Sequence, residues 1–309
     1  MSQNTSVRRA PRRAASARPR LGGDILLAAS LWGTTGTVRT FAGDASALSV
    51  AAIRIVIGGL VLLAFACARR GAGLRRLLGD RRNLPLIGLG AVTIVVYQVA
   101  FFLAVGRTGV AVGTVVTIGS APAFAGVIGL LTRRPGPAGR WAIATAGAVA
   151  GCALLVGGGR DAGVEPAGVA LALLSGLAYA VYATVASVLI TRGEEDRAVA
   201  GAMFTAAAVL LAPTLFSGSG WLLTGSGALI ALYLGVITTG GGYLLFARGL
   251  RTTPATTATT LTLAEPAVAA VLGTALLGER LDTAAVGGLA LLAASLVVLV
   301  LPARRKTRR

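Results

Sequence analysis

Long apolar runs broken by short polar connections dominate the chain. They cover approximately residues 22–41, 47–67, 84–105, 110–131, 138–157, 168–190, 199–216, 228–247, 254–277 and 283–302. Each run holds roughly the 17–25 residues that a helix needs to cross about 30 Å of hydrocarbon. Period-two alternation is absent, and every backbone polar group in a bilayer must find its partner within its own segment, so helices are expected. The pattern predicts an all-α membrane protein with ten transmembrane helices, the seventh being the shortest.

The fourth and ninth runs resemble one another at a shift of 144 residues. Arg107 falls on Arg251, Phe102 on Phe246, Pro122 on Pro266 and Val127 on Val271. The first and sixth runs match more weakly at a shift near 146, which sets Leu31-Trp32-Gly33 against Leu177-Ala178-Tyr179. Five spans per copy is an odd number, so the second copy enters the membrane from the opposite side. The expected organisation is two inverted five-helix repeats, residues 22–158 and 168–302, between basic tails at 1–21 and 303–309. Such halves form paired gates around a midplane site and support alternating access. A duplication that merely builds a stable bundle is the simpler alternative.

Composition agrees with the pattern. The 309 residues are 55% hydrophobic and 13% charged, against about 25% charged in soluble domains. The net charge of +18 does not mark a nucleic-acid binder, because the basic residues sit in connections rather than on one folded face. With the amino terminus inside, cytoplasmic segments hold 24 of the 29 basic residues. Arg107, Arg160 and Arg280 fall outside, and Arg39 and Arg54 fall within spans. Positive-inside bias therefore places both termini in the cytoplasm.

The polar residues inside spans carry the candidate chemistry. Glu265 lies near the middle of the ninth span, where an ionisable group costs several kcal/mol on insertion scales and is usually retained for a use. Substrate or proton coupling is one use, and a structural hydrogen bond to an adjacent helix is the other. Its repeat counterpart is Ala121. Pro122 and Pro266 each remove a donor and invite a kink. Thr256, Thr259 and Thr262 approach the acid at three-residue steps, a spacing that also suits local hydrogen bonding. Arg54 in the second span has three readings that stay open: a partner for an anionic solute group, an ion pair with Glu265 that closes the outer gate, or neither.

Aromatic residues sit deep, away from the headgroup belt. Trp32, Tyr97, Tyr179, Tyr182 and Tyr243, with Gln98 beside Tyr97, suggest a cavity for an amphipathic organic solute. Gly241, within Gly240-Gly241-Gly242, is a hinge candidate, close helix packing being its other reading.

No phosphate-binding loop, HExxH, GxSxG or dinucleotide fingerprint occurs. The chain has no histidine, and Cys67 and Cys152 are far apart, so neither a metal site nor a cofactor is expected, and no enzyme activity. Small-residue faces serve packing within one bundle or between two, which leaves a homodimer open.

These features resemble an EamA-type transporter of the drug/metabolite transporter superfamily over residues 24–302. The most specific piece is LAEPAVAAVLGTALLGERL at 263–281, supported by LWG at 31–33, Arg54 and TIGSAPAFAGVIGLL at 117–131. The resemblance implies a secondary carrier of the bacterial inner membrane, many such carriers exporting amino acids or other small metabolites. It also implies a central cavity formed by helices one to four and six to nine, with Trp32, Arg54 and Tyr179 near it. The first half departs from the family pattern at Leu-Thr-Arg-Arg, 131–134, where a Gly-Glu-Arg motif is usual. Import by the same architecture, and a non-transporting sensor, are the alternatives at this stage.

Overall fold

A computed structural model describes residues 22–43, 45–132, 139–157, 165–216, 218–277 and 283–301. Both basic tails lie outside the described residues, as do Asp44, Arg133-Arg134, Arg160, Asp161 and the Gly-Glu-Arg-Leu motif at 278–281.

The described chain is helical throughout. The elements are α1 (Gly23–Arg39), α2 (Ala47–Cys67), α3 (Ala72–Gly79), α4 (Leu84–Leu131), α5 (Gly139–Gly157) and α6 (Pro166–Thr191). They continue with α7 (Asp196–Leu211), α8 (Gly225–Leu232), α9 (Gly242–Gly249), α10 (Ala255–Leu261), α11 (Ala264–Leu277) and α12 (Thr283–Val300). Eight helical segments are long and apolar enough to cross a bilayer, so the chain is an all-α membrane protein. They are α2, two arms of α4, α6, α7 with its 3-10 extension to Phe216, α8 through α9, α10 through α11, and α12.

A connection was expected at 106–109, and α4, one helical element of 48 residues, carries two spans that meet there. A straight helix of that length would reach about 72 Å, more than twice the hydrocarbon thickness. It is not straight. A Cβ on Gly113 would fall 3.2 Å from the Cα of Val105, eight residues earlier and about 12 Å away along a straight axis. The helix doubles back here, and the arms 84–108 and 112–131 form a hairpin. Arg107 at the bend pairs with Glu165 at 2.7 Å, tying the hairpin to the start of α6.

Helix α6 runs along α4, α2 packs on α7, α5 on α12, and α1 on α11 and α9. The α2–α7 contact shows why small residues line such seams. A Cβ on Gly59 would lie 2.8 Å from the Phe204 carbonyl, and one on Gly201 would lie 3.0 Å from the Leu62 carbonyl. Backbones approach this closely only where neither side presents a side chain.

Two spans depart from regular helix. Between α8 and α9 the residues Tyr233–Gly241 form a π-helical segment. Between α10 and α11 the α-helix lapses at Thr262-Leu263. Pro266 explains the second departure, since it offers no N–H to the Thr262 carbonyl four residues back. That carbonyl instead accepts from the Glu265 N–H at 3.0 Å, and Leu263 N–H donates to the Thr260 carbonyl at 3.1 Å. The chain tightens for one turn and then resumes. Pro122 sits inside α4 without ending it.

Candidate functional site

The break places Glu265 one residue into α11, partly buried and facing a small internal cavity. Trp32 of α1, Tyr97, Thr117 and Ile118 of α4, Tyr179 of α6, Thr262 and Glu265 line this space. Its volume is about 10 Å³, room for roughly one water molecule. The space is therefore too small, in this conformation, for the organic solute that the buried aromatics suggest. A larger apolar groove of about 630 Å³ lies between the second arm of α4 and α5. Its Val127 and Leu130 are exposed, and its two polar groups, the Trp141 indole N–H and the Thr145 hydroxyl, are bonded to α10, so it reads as lipid-facing surface.

Trp32 is held from two directions. Its indole Nε1 donates to the Thr238 carbonyl at 2.9 Å, and its rings pack against Tyr243 and Phe246 at centroid distances of 4.7 and 5.6 Å. A Cβ at residue 242 would lie 2.4 Å from that indole nitrogen, so only glycine admits the tryptophan. The π-helical segment provides the carbonyl. Wider turns free backbone acceptors, and such segments recur at functional sites. Within it, Thr238 and Thr239 both donate their hydroxyls to the Leu234 carbonyl, at 2.7 and 2.8 Å. Gly241 closes the segment, and a Cβ there would meet its nearest neighbour only at 3.7 Å.

Arg54 joins this segment too. Its Nε donates to the Thr239 hydroxyl at 3.1 Å, and it forms no ion pair with Glu265 among the described residues. It stands behind the lining rather than on it.

The other residues singled out in the sequence separate in the same way. Tyr182 and Tyr243 are buried in an aromatic wall with Phe204 and Phe246, the Phe204–Tyr243 centroids being 4.2 Å apart. Gln98 is buried with its amide nitrogen unpartnered and does not reach the cavity. Tyr97 and Tyr179 do reach it, with ring centroids 5.4 Å apart. The Tyr179 hydroxyl is buried without a hydrogen bond of normal geometry, the Thr262 side chain being its polar neighbour.

Sequence reasoning did not single out Thr117, Ile118, Thr238 or Thr239 as site residues. A signal for Ile118 was present, because it is the repeat counterpart of Thr262 at a shift of 144. The two now line one cavity from opposite halves of the chain.

Comparison with known proteins agrees with this architecture. The model of the EamA-like transporter family matches residues 24–157 and again residues 166–301. The chain is 39% identical over 286 residues to the uncharacterized transporter YwfM of Bacillus subtilis strain 168, covering 92% of this chain and 95% of that one. It is 28% identical over 292 residues to the uncharacterized inner membrane transporter YicL of Salmonella typhimurium strain LT2, covering 92% and 96%. A crystal structure of a protein with 21% sequence identity superposes with a TM-score of 0.79, covering 94% of this chain and all of that one, which speaks to the fold alone.

Proposed function

The chain belongs to the EamA-like transporter family and is a secondary transporter of small solutes; from that premise we propose that it exports an amphipathic metabolite such as an amino acid by alternating access, with protons as the coupling ion. It works in the bacterial inner membrane, in keeping with the name of the Salmonella relative, and the positive-inside bias puts both termini in the cytoplasm. Its ten spans, counting α1 and α5, form two inverted five-helix repeats.

The single observation that carries the transport reading is Glu265, a carboxyl beside a helix break, facing a nearly closed cavity whose walls come from both halves. A break lets one half of a helix move while the other holds, as gating requires. The inverted repeat has support in two alike crossings. A Cβ on Gly33 would lie 2.8 Å from the Glu265 carbonyl, and one on Gly176 would lie 2.6 Å from the Thr117 carbonyl and 3.5 Å from the Ala121 nitrogen. In each, a glycine on the opening helix of one half meets the proline-bearing helix of the other half.

Among the described residues, three ion pairs gather toward one end of the bundle. Asp24–Arg248 at 3.3 Å, Arg251–Asp196 at 3.8 Å and Arg76–Glu194 at 3.7 Å gather in segments expected on the cytoplasmic side. Two of them, Asp24–Arg248 and Arg76–Glu194, join the first half to the second. Inward opening would have to separate these pairs.

Counterflow in proteoliposomes tests the reading. Labelled amino acids should exchange, and an imposed pH gradient should drive net flux. Glu265→Gln should lower flux about a hundredfold, the order lost with one charged hydrogen-bonding partner worth ~3 kcal/mol. Folded protein that exchanges no solute under any gradient would refute it.

A further inference from the structure

We infer that the head group read at the cavity is a positively charged amine: the solute seats an organic ammonium on Glu265 among Trp32, Tyr97 and Tyr179. The inference deepens the transport reading and rests on it.

Counting what the lining can donate and accept carries the argument. The Thr117 hydroxyl gives its hydrogen to the Ala172 carbonyl at 3.2 Å, and the Thr262 hydroxyl gives its hydrogen to the Thr259 carbonyl at 2.8 Å. A hydroxyl whose hydrogen is committed presents only lone pairs to a ligand. The Trp32 N–H is committed as well, to the Thr238 carbonyl, so the indole offers its π system and no donor. Glu265 adds a carboxyl group, acceptor-only when ionised. No arginine or lysine lines the cavity, and Arg54 spends its Nε on Thr239 behind it. Only the tyrosine hydroxyls can turn either way, and that of Tyr179 is buried without a bonded partner.

A wall of lone pairs, one carboxylate and three aromatic rings suits a group with several N–H donors and a positive charge. An ammonium has both, and its head is close to a water molecule in size, matching the space of about 10 Å³. A carboxylate would meet lone pairs on nearly every side, and a neutral sugar hydroxyl would leave the Glu265 charge uncompensated in an apolar setting. The apolar body of the solute would lie toward Ile118 and Trp32 as the α10–α11 break opens the cavity. A primary amine and an amino acid both qualify. The carboxylate of an amino acid is not what the lining recognises.

Three solutes with one ring separate the possibilities: phenethylamine, phenylalanine and 3-phenylpropionate. Equilibrium binding of labelled phenethylamine to the purified full chain in nanodiscs should be saturable. Phenylalanine should compete, and 3-phenylpropionate should not at tenfold higher concentration. Glu265→Gln, with its melting temperature checked, should weaken amine binding at least tenfold, and Thr262→Val should weaken it severalfold. Competition by 3-phenylpropionate equal to that of the amine would overturn the inference. So would unchanged amine binding in Glu265→Gln, or no saturable amine binding by folded wild-type protein. Amine binding without counterflow would sink the transport reading and leave the ammonium site standing. Counterflow confined to carboxylates or sugars would do the reverse.

Discussion

The second arm of α4 and the α10–α11 pair carry prolines 144 residues apart in sequence, Pro122 and Pro266, yet one stays a single helix and the other breaks. Each proline withholds an N–H from the carbonyl four residues earlier, at Ile118 and Thr262. The difference lies in what surrounds that carbonyl. Before Pro266, the hydroxyls of Thr259 and Thr260 turn back onto the Thr256 carbonyl at 3.0 Å, and that of Thr262 onto Thr259 at 2.8 Å. Before Pro122 the equivalent positions are Val115, Val116 and Ile118, without hydroxyls, and the back-bonding is reduced to Ser120 onto the Thr117 carbonyl at 3.2 Å. Back-bonding by serine and threonine bends helices slightly, and added to a missing N–H it opens this one. Proline supplies a weak point in both arms, and the threonines release it in the one that bears the acid. On the transport reading proposed above, the first half would be the stiff wall of the cavity and the second its moving part.

Breaking that asymmetry should have graded consequences. The largest is expected from Pro266→Ala, which returns an N–H to the Thr262 carbonyl and should slow counterflow about tenfold, a barrier change of ~1.4 kcal/mol. Pro122→Ala should leave flux within about twofold, because its helix is already continuous. Equal losses in the two variants would remove the distinction between wall and moving part. A smaller effect belongs to Thr262→Val, which deletes one neutral hydrogen bond worth ~1 kcal/mol and should slow flux roughly fivefold. The reciprocal Ile118→Thr in the same chain should not restore it, since a hydroxyl on the unbroken arm cannot open the other. The smallest concerns the end that carries the Asp24–Arg248 pair. Asp24→Asn removes an exposed ion pair worth about 0–1 kcal/mol and should speed inward opening by no more than about threefold, read as accessibility of a reporter cysteine. Pairing at that end would be irrelevant to gating if the same variant changed nothing while the Glu265 variant abolished flux.

How much of this was readable in advance differs from residue to residue. Glu265, Trp32, Tyr97, Tyr179 and Thr262 were candidates because polar or aromatic groups at mid-span depth are costly or unusual, and all five line the cavity. Tyr182, Tyr243 and Gln98 drew attention for the same reason, yet they point into packed interior. Depth along a helix is readable from the position in a run; azimuth among neighbouring helices is not, because hydropathy is nearly uniform around such helices. Arg54 shows the same limit. Its burial was expected, while its bond to Thr239 depends on a π-helical segment with no distinctive pattern beyond the triple glycine at its end.

By itself the sequence determined that this is a helical membrane protein of the EamA-like family. Run length, apolar content and motif spacing are local properties that add along the chain, and a bilayer tolerates few other solutions. It also determined that residue 265 carries an acid where the matching position of the other half, 121, carries alanine. Only the tertiary structure decided how the two arms of α4 join, where the ninth span breaks, and which aromatic rings face the cavity. The placing of Trp32 and Arg54 depends on bonds to partners scores of residues away, at the Thr238 carbonyl and the Thr239 hydroxyl. Such partners meet only when several helices pack together.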